Sequence, residues 1–441
     1  MNVVIQIVAF LFVIALLVFI HEAGHFFVAR WRRVWVHQFA VGFGPAIWKR
    51  QSGETEYSIR LFPLGGFVRM AGEDRLSEED KAVPADRLFT SKKPVERMVI
   101  VAAGPLANII GAILLQIIIV GSFGVGYTEI MKVTEKSPAQ GQLESGDKIV
   151  EINSQMIYSR EQMQRIIRSS EGRNLHIKVL RGEIATPAET KEFDIATKWD
   201  KEAGAYRLGI VFAFYGSTNK IQSLEPDSFL AKNGLKAGDH IVAVDATKVY
   251  SASQFMNIVE TAIKEKNYAM HLQASRNGEA LTIELNLANQ EFSQILAGYR
   301  PEFLSRQVGF FDMVRIGFAQ IGDAIALMYE TIRSVFSGKS SASEQFSGPV
   351  GIAGIIGQSI SLGLMPFLII VTLLSLNLGL INLFPFPALD GSRIVFILVE
   401  MVIRRPIPPD KEGMVHYIGF IILLALILLI TFNDIKKMLG Q

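Results

Sequence analysis

The hydrophobic residues of this chain fall into long unbroken runs towards both ends and short alternating ones between. Residues 3–20 are apolar apart from Gln6, and after the polar group from His21 to His25 the run resumes as Phe26-Phe27-Val28-Ala29 before Arg30. At about 1.5 Å per residue, such a helix crosses the roughly 30 Å of a bilayer's hydrocarbon. Residues 98–120, interrupted by Gly104-Pro105, Asn108 and Gln116, predict a second span; residues 366–384, stopped by Pro385 and Pro387, a third; and residues 414–432 a fourth. Nothing basic precedes the first run and no small-residue cleavage site follows it, so it reads as a retained span and not a removable signal. Basic residues set the orientation, because short loops rich in Lys and Arg stay on the cytoplasmic side. Arg30, Arg32 and Arg33 follow span one, Lys92, Lys93 and Arg97 precede span two, and Arg404, Arg405 and Lys411 lie between spans three and four. Those loops are expected inside and residues 127–365 on the other face, with Lys436 and Lys437 weighing against.

Within the long segment the alternating runs repeat. A shift of 92 residues lays Gly146-Asp147-Lys148-Ile149-Val150 on Gly238-Asp239-His240-Ile241-Val242, Tyr158-Ser159 on Tyr250-Ser251, Leu143 on Leu235 and Gln162 on Gln254. Each copy then enters a helical pattern, at 160–168 and 253–262, which predicts two small β-rich domains, 127–205 and 206–292. The Gly-Asp-x-Ile-Val core followed by a strand and a Ser-x-x-Gln helix start resembles bacterial PDZ domains. Leu208-Gly209-Ile210, assigned to the second copy, fits the loop with which such domains hold a peptide terminus while adding the peptide as a strand. Gly126-Tyr127-Thr128 matches that loop poorly in the first copy, and a role as spacers or size filters is the alternative. Residues 310–336 have helical apolar spacing with Arg315, Asp323 and Glu330 interspersed, which predicts an amphipathic helix on the outer membrane surface or against the PDZ domains. The glycine-rich stretch up to Gly363 reads as a re-entrant turn or a linker.

Composition narrows the chemistry. Of 441 residues, 50% are hydrophobic and 20% charged, too apolar a balance for a soluble enzyme of this length. Forty-four Lys plus Arg against 42 Asp plus Glu leave +2, so no basic field argues for nucleic acid. With no cysteine, any metal must be held by His, Asp or Glu. His21-Glu22-Ala23-Gly24-His25 is His-Glu-x-x-His inside the first span. Residues four apart on a helix share one face, so both imidazoles can meet one zinc ion with Glu22 beside them to take a proton from water. Ionisable groups at membrane depth are costly unless they pair or ligate, which argues against an idle pair. A third ligand must come from elsewhere. His37, Glu73 and Asp74 sit in a charged loop and His176, His240 and His271 in the repeats, whereas Asp390 lies in the apolar Asn382-Leu383-Phe384-Pro385-Phe386-Pro387-Ala388-Leu389-Asp390-Gly391, with an N-cap for a helix over 392–403 as its alternative role.

These motifs together resemble the site-2 protease family of intramembrane zinc metalloproteases, over nearly the whole chain. The resemblance implies Zn2+ held by His21, His25 and Asp390, Glu22 as catalytic base, and Asn377, Asn382, Pro385 and Pro387 as substrate-binding residues. Gly104-Pro105-Leu106-Ala107-Asn108 is similar to the Gly-Pro-x-x-Asn element of the family's second span. It also implies that Val41-Gly42-Phe43-Gly44 dips into the membrane as a β-loop and that Leu64, Gly65, Gly66, Phe67 and Val68 form an edge strand that pairs with substrate. Ser392, where relatives commonly carry a second Gly, and the following Arg393 depart from the pattern. The expected fold is a polytopic α-helical membrane protein with about four spans, a membrane-associated β-loop and two PDZ-like domains in an extramembrane loop. Its parts are 1–126 (membrane), 127–205 and 206–292 (PDZ-like), 293–364 (amphipathic linker) and 365–441 (membrane). The implied activity is cleavage of single-span membrane proteins in a bacterial inner membrane, with periplasmic PDZ domains and the active site near the cytoplasmic side. The implied substrate is a pre-trimmed anti-sigma factor or signal-peptide remnants, peptide termini being possible ligands of the PDZ domains. A non-hydrolytic PDZ scaffold and a metal carrier are the competing readings.

Overall fold

The computed structural model describes residues 3–73, 77–182, 189–201, 203–214, 217–303, 305–338 and 348–438, so Asp74 lies outside the described residues. Two compact units emerge, 1–119 together with 317–441, and 120–316. The first begins with α1 (Val3–Trp31), then strands β1 (Val36–Ser52) and β2 (Thr55–Met70), then α2 (Pro94–Phe123). Apart from Gln6, α1 is apolar on every side up to Ile20, as a membrane-spanning helix is. The two long strands bend back so that the 36–41 stretch pairs with 66–70 on one side and 56–59 on the other, while 46–52 pairs with 55–60. Residues 66–70 therefore form an outer edge with no further strand beside it among the described residues. Ile47, Trp48, Leu61 and Phe62 stand exposed on the same sheet, an apolar surface suited to a bilayer.

The second unit holds two sheets of the same design. One contains β3 (Thr128–Val133), β4 (Lys148–Ile152), β5 (Gln155–Met156), β6 (Asn174–Arg181), β7 (Glu189–Ala196) and β10 (Ile210–Phe214), with α3 (Arg160–Arg168) packed on it and a small β8 (Lys198–Asp200)–β9 (Ala205–Arg207) ribbon alongside. The other contains β11 (Ser217–Leu224), β12 (His240–Val244), β13 (Thr247–Lys248), β14 (Ala269–Arg276), β15 (Glu279–Asn286) and β16 (Tyr299–Phe303), with α4 (Phe229–Lys232), α5 (Ala252–Lys264) and α6 (Phe292–Ile295). The repeated residues carry repeated physics. Asp147 and Asp239, both buried, are clasped by Arg181 and Arg276 at 2.7 Å, and Ser159 and Ser251 cap α3 and α5 by accepting from the backbone N–H of Gln162 and Gln254.

The boundary expected at 205/206 is displaced. β10 pairs with β3, and Leu208 is buried in the first domain's core with Ile130, Leu143 and Ile149, so Leu208-Gly209-Ile210 closes the first domain and not the second. A sequence repeat marks where a motif recurs, not which sheet its last strand joins. The true counterpart in the second copy is Gly298-Tyr299, which opens β16 on β11: Gly209 and Gly298 have φ of +77° and +72°, and their carbonyls accept from Thr134 and Glu225 at 2.8 and 3.1 Å. The two domains meet at Glu129, which is wholly buried and accepts from Ser251 Oγ at 2.5 Å; burial lifts its pKa to about 7 against the opposing pull of Lys148. Beyond β16, Arg306 bridges back to Val125 and gives its guanidinium to the carbonyls of Val150 and Ile157, which ties the two ends of this unit together.

The chain then forms α7 (Phe310–Phe336), α8 (Pro349–Leu362), α9 (Leu364–Asn382), α10 (Asp390–Ile403) and α11 (Pro409–Met438). Among the described residues four helices are long and apolar enough to cross a membrane, over Gln6–Trp31, Pro94–Phe123, Leu364–Asn382 and Lys411–Lys436, as the hydropathy pattern predicts. The stretch before Gly363 is neither turn nor linker. It is α8, opened by Pro349 at a position where its missing N–H costs nothing, with Ile356 buried against Val13, Leu17 and Val371. α9 lies tight on α2 because Gly379 carries no side chain: a Cβ there would sit 2.7 Å from Pro105 O.

Candidate metal centre

His21 and His25 occupy successive turns of α1, and Asp390 is the first residue of α10, where a carboxylate also favours the helix dipole. His21 Nε2 lies 3.0 Å from Asp390 Oδ2 and 3.2 Å from His25 Nε2, which is 3.5 Å from the same carboxylate oxygen. Among the described residues these three form the one group of three such side chains whose ligand atoms lie within 4.8 Å of one another. The edges match the roughly 3.3 Å between donors that share a tetrahedral ion at about 2.0–2.1 Å.

The outer partners of the rings test whether a cation belongs there. His25 Nδ1 donates to Ile100 O at 3.0 Å, so its Nε2 in the neutral ring is a bare lone pair. His21 Nδ1 lies 3.4 Å from the Asn108 amide nitrogen, while Asn108 Oδ1 is buried without a partner. Turning that amide over lets Oδ1 accept from Nδ1–H and leaves His21 Nε2 a lone pair as well. Two lone pairs and a carboxylate then face one another inside a helix bundle, an arrangement that a divalent ion satisfies and water alone does not.

Glu22 stands in the same turn of α1 and leans on the sheet: a Cβ at Gly66 would meet Glu22 Cγ at 3.0 Å and Val18 Cγ1 at 2.9 Å. The outer strand with Gly66, Phe67 and Val68 is thus directly beside Glu22. Gly65 is crowded by the Phe43 ring, which stacks on Phe67 at 6.5 Å, and Leu64 belongs to the same strand.

Asp390 is aimed by its surroundings. The Pro385-Phe386-Pro387 turn ends in Ala388, held at a φ of +80°, whose N–H donates to His416 Nδ1 at 3.2 Å. Gly391 is confined by the carbonyls of Leu383 and Phe384, and Gly419 by Pro387. Ser392 is compatible with the tight start of α10, because its hydroxyl donates to Leu389 O at 2.8 Å, and Arg393 pairs with Glu73. Asn377 and Asn382 lie on α9 about 140° apart around the helix, and among the described residues neither bonds the cluster, whereas Asn108 does. His37 is taken by Asp80 at 2.9 Å, His176 by Asp194 and His271 by Asp245, while His240 is on β12. Sequence reasoning passed over His416 and the Asn108 contact; a lone polar residue in an apolar span was the signal for both.

His416→Ala removes the acceptor from the strained turn. It is expected to weaken metal retention, by less than the roughly 10–100-fold that losing a ligand's own hydrogen-bond partner costs, because His416 acts on Asp390 through the turn. Zinc content after a timed chelator challenge, compared with His416→Gln, which keeps an acceptor, reads this directly. Unchanged retention in His416→Ala would remove the turn's dependence on this contact.

A candidate metal-ligand cluster joining the first apolar span to the start of α10, with an acid in the same helical turn and paired β-rich domains between the spans, is the layout of a membrane-embedded peptidase. Residues 9–426 match the family described as Peptidase family M50, and the chain belongs to that family. It is similar to the regulator of sigma E protease of Haemophilus influenzae, 28% identical over 449 residues, covering 98% of each chain. It is also similar to the zinc metalloprotease RasP of Geobacillus kaustophilus, 28% identical over 453 residues and 98% of each chain. Among solved structures it matches the PDZ domain of the SdrC-like protein of Listeria innocua at 29% identity, over 20% of this chain and 92% of that one, with a TM-score of 0.18.

Proposed function

We propose that the protein is a zinc endopeptidase that cuts the transmembrane segment of single-span membrane proteins, with His21, His25 and Asp390 holding the ion and Glu22 as base. One observation carries this reading: the three ligand atoms converge within 3.0–3.5 Å while Glu22 lies between them and a free strand edge at residues 66–70. Zinc, when bound, polarises the scissile carbonyl and acidifies water. Glu22 takes the proton of the attacking water and passes it to the leaving amine. A helical substrate hides its amides in its own ladder, so it must unwind, and the exposed edge can receive the extended stretch as an added strand. Asn377 and Asn382 are available to bond the unwound backbone, with Pro385 and Pro387 shaping the approach.

The site is placed near the cytoplasmic face of a bacterial inner membrane and the PDZ-like domains in the periplasm, as the basic loops favour. The Haemophilus relative's name favours an anti-sigma factor, already trimmed outside, as substrate; signal-peptide remnants share the same chemistry. The loop at Leu208, Gly209 and Ile210 precedes the edge strand β10, which supports capture of a peptide terminus by the first domain. Exclusion of bulky ectodomains by the tandem is the second role. Val125 and Arg306 are hydrogen-bonded neighbours, so residues 126–305 can be replaced by a short Gly-Ser linker. Full-length protein is expected to cut a trimmed reporter and spare an untrimmed one, and the linker variant to cut both. A variant that cuts trimmed substrate only would end the size-filter role.

A further inference from the structure

At the far end of α10 from Asp390, a cleft of about 420 Å³ opens between the first turn of α2 and the 404–406 turn. Arg97, Arg404 and Arg405 line it with a single carboxylate, Glu400, so its lining residues carry an excess of two positive charges. Glu400 is nearly buried and fully engaged: one oxygen pairs with Arg97, the other accepts from Ile407 N–H at 2.9 Å. That second bond fixes the turn carrying Arg404, itself held at a φ of +55°. Arg97 Nε is buried with no hydrogen bond, and Arg404 and Arg405 are exposed without an ion-pair partner among the described residues. Among the described residues outside the cleft, Glu412 faces His416 at 3.7 Å and also feels the charge of Arg97, but not that of Arg404 or Arg405.

Depth and surroundings identify the ligand. α2 has 30 residues, so at about 1.5 Å each it outruns the roughly 30 Å hydrocarbon layer, and its opening turn with Pro94 and Arg97 lies at head-group level. Beside the arginines, Met401, Val402 and Ile403 are 42%, 83% and 53% exposed, an apolar flank that a soluble anion has no use for. Guanidinium groups take phosphate oxygens in pairs. Generic topology-setting charge would require neither the cleft nor the fixed turn.

We propose that this cleft is a binding site for the phosphate head group of an anionic phospholipid, whose acyl chains lie along the exposed residues of α10. Each arginine near such a surface is worth about a five-fold change in affinity, so removing two lowers retention by about 25-fold. The test is native mass spectrometry of the full-length protein titrated with phosphatidylglycerol or phosphatidylcholine, for the parent, for Arg404→Gln/Arg405→Gln, and for the charge-matched Lys49→Gln/Arg50→Gln on the β-sheet. Thermal unfolding of each variant establishes that it is folded. The expected result is retention of phosphatidylglycerol over phosphatidylcholine, lost only in the Arg404/Arg405 variant and unaffected by millimolar inorganic phosphate. Displacement by inorganic phosphate would make this a free-anion site and overturn the lipid assignment. Equal retention of the two lipids, or equal loss in the Lys49/Arg50 variant, would overturn the cleft itself.

Discussion

Glu22→Gln is expected to lower peptide cleavage by about 10²–10⁴-fold while leaving the metal in place. Glutamine has the same shape, so its stem keeps the place beside Gly66 that the glutamate has now. The ligand atoms of His21, His25 and Asp390 are untouched, as are the bonds from His25 to Ile100 and from Ala388 to His416. What is lost is the capacity to take a proton from water. Purified protein in detergent, one zinc per chain verified for both forms, and a short single-span reporter make the comparison clean. Loss of cleavage with zinc retained establishes the hydrolase and its base, and removes both the PDZ scaffold and the metal carrier, since neither needs a proton acceptor at this position. Equal cleavage by both forms would mean that Glu22 is not the base.

Much of this candidate site, the convergence of His21, His25 and Asp390, was legible because its parts are local. His-Glu-x-x-His needs only a helix to bring both rings onto one face, and the apolar run around it predicts that helix. Asp390 was legible by contrast, as a carboxylate in a proline-broken apolar stretch. The contacts that aim these ligands were not, because each joins segments far apart in the chain. His416 reaches Ala388 from the last span, and Asn108 meets His21 from the second, both single polar residues whose partners only packing chooses. The domain boundary failed for a related reason. The repeat aligns Gly146 with Gly238, but the closing strands β10 and β16 come after the repeated core and contain few shared letters. α8 was hidden by glycines that in water would weaken a helix, but among membrane helices allow close approach, as Gly357 does against the Gln6 side chain.

The same close approach makes Gly104 a backbone position on which the proposed metal site depends. α1 and α2 touch where Gly24 meets Ala103 and Gly104 faces the His25 ring, so that a Cβ at 104 would overlap the imidazole itself. The ring has nowhere to retreat: its Nδ1 is bonded to Ile100 O on α2, and Phe26, next to it, is buried in the core with Ile100 and Val101. Gly104→Ala is therefore expected to push His25 off its carbonyl partner, with a loss of zinc affinity of at least about 10–100-fold and a matching loss of cleavage. About two turns further along, Gly111 offers the control. A methyl there would meet Ile20 Cγ2 at 3.8 Å and Ser375 Oγ at 4.0 Å, ordinary contacts, and alanine favours the helix by up to about 1 kcal/mol. Gly111→Ala should then bind zinc and cut the reporter as the parent does. Equal losses in both variants would trace the effect to general disturbance of α2, and a fully active, zinc-loaded Gly104→Ala would mean that His25 is not held against this helix when the metal is bound.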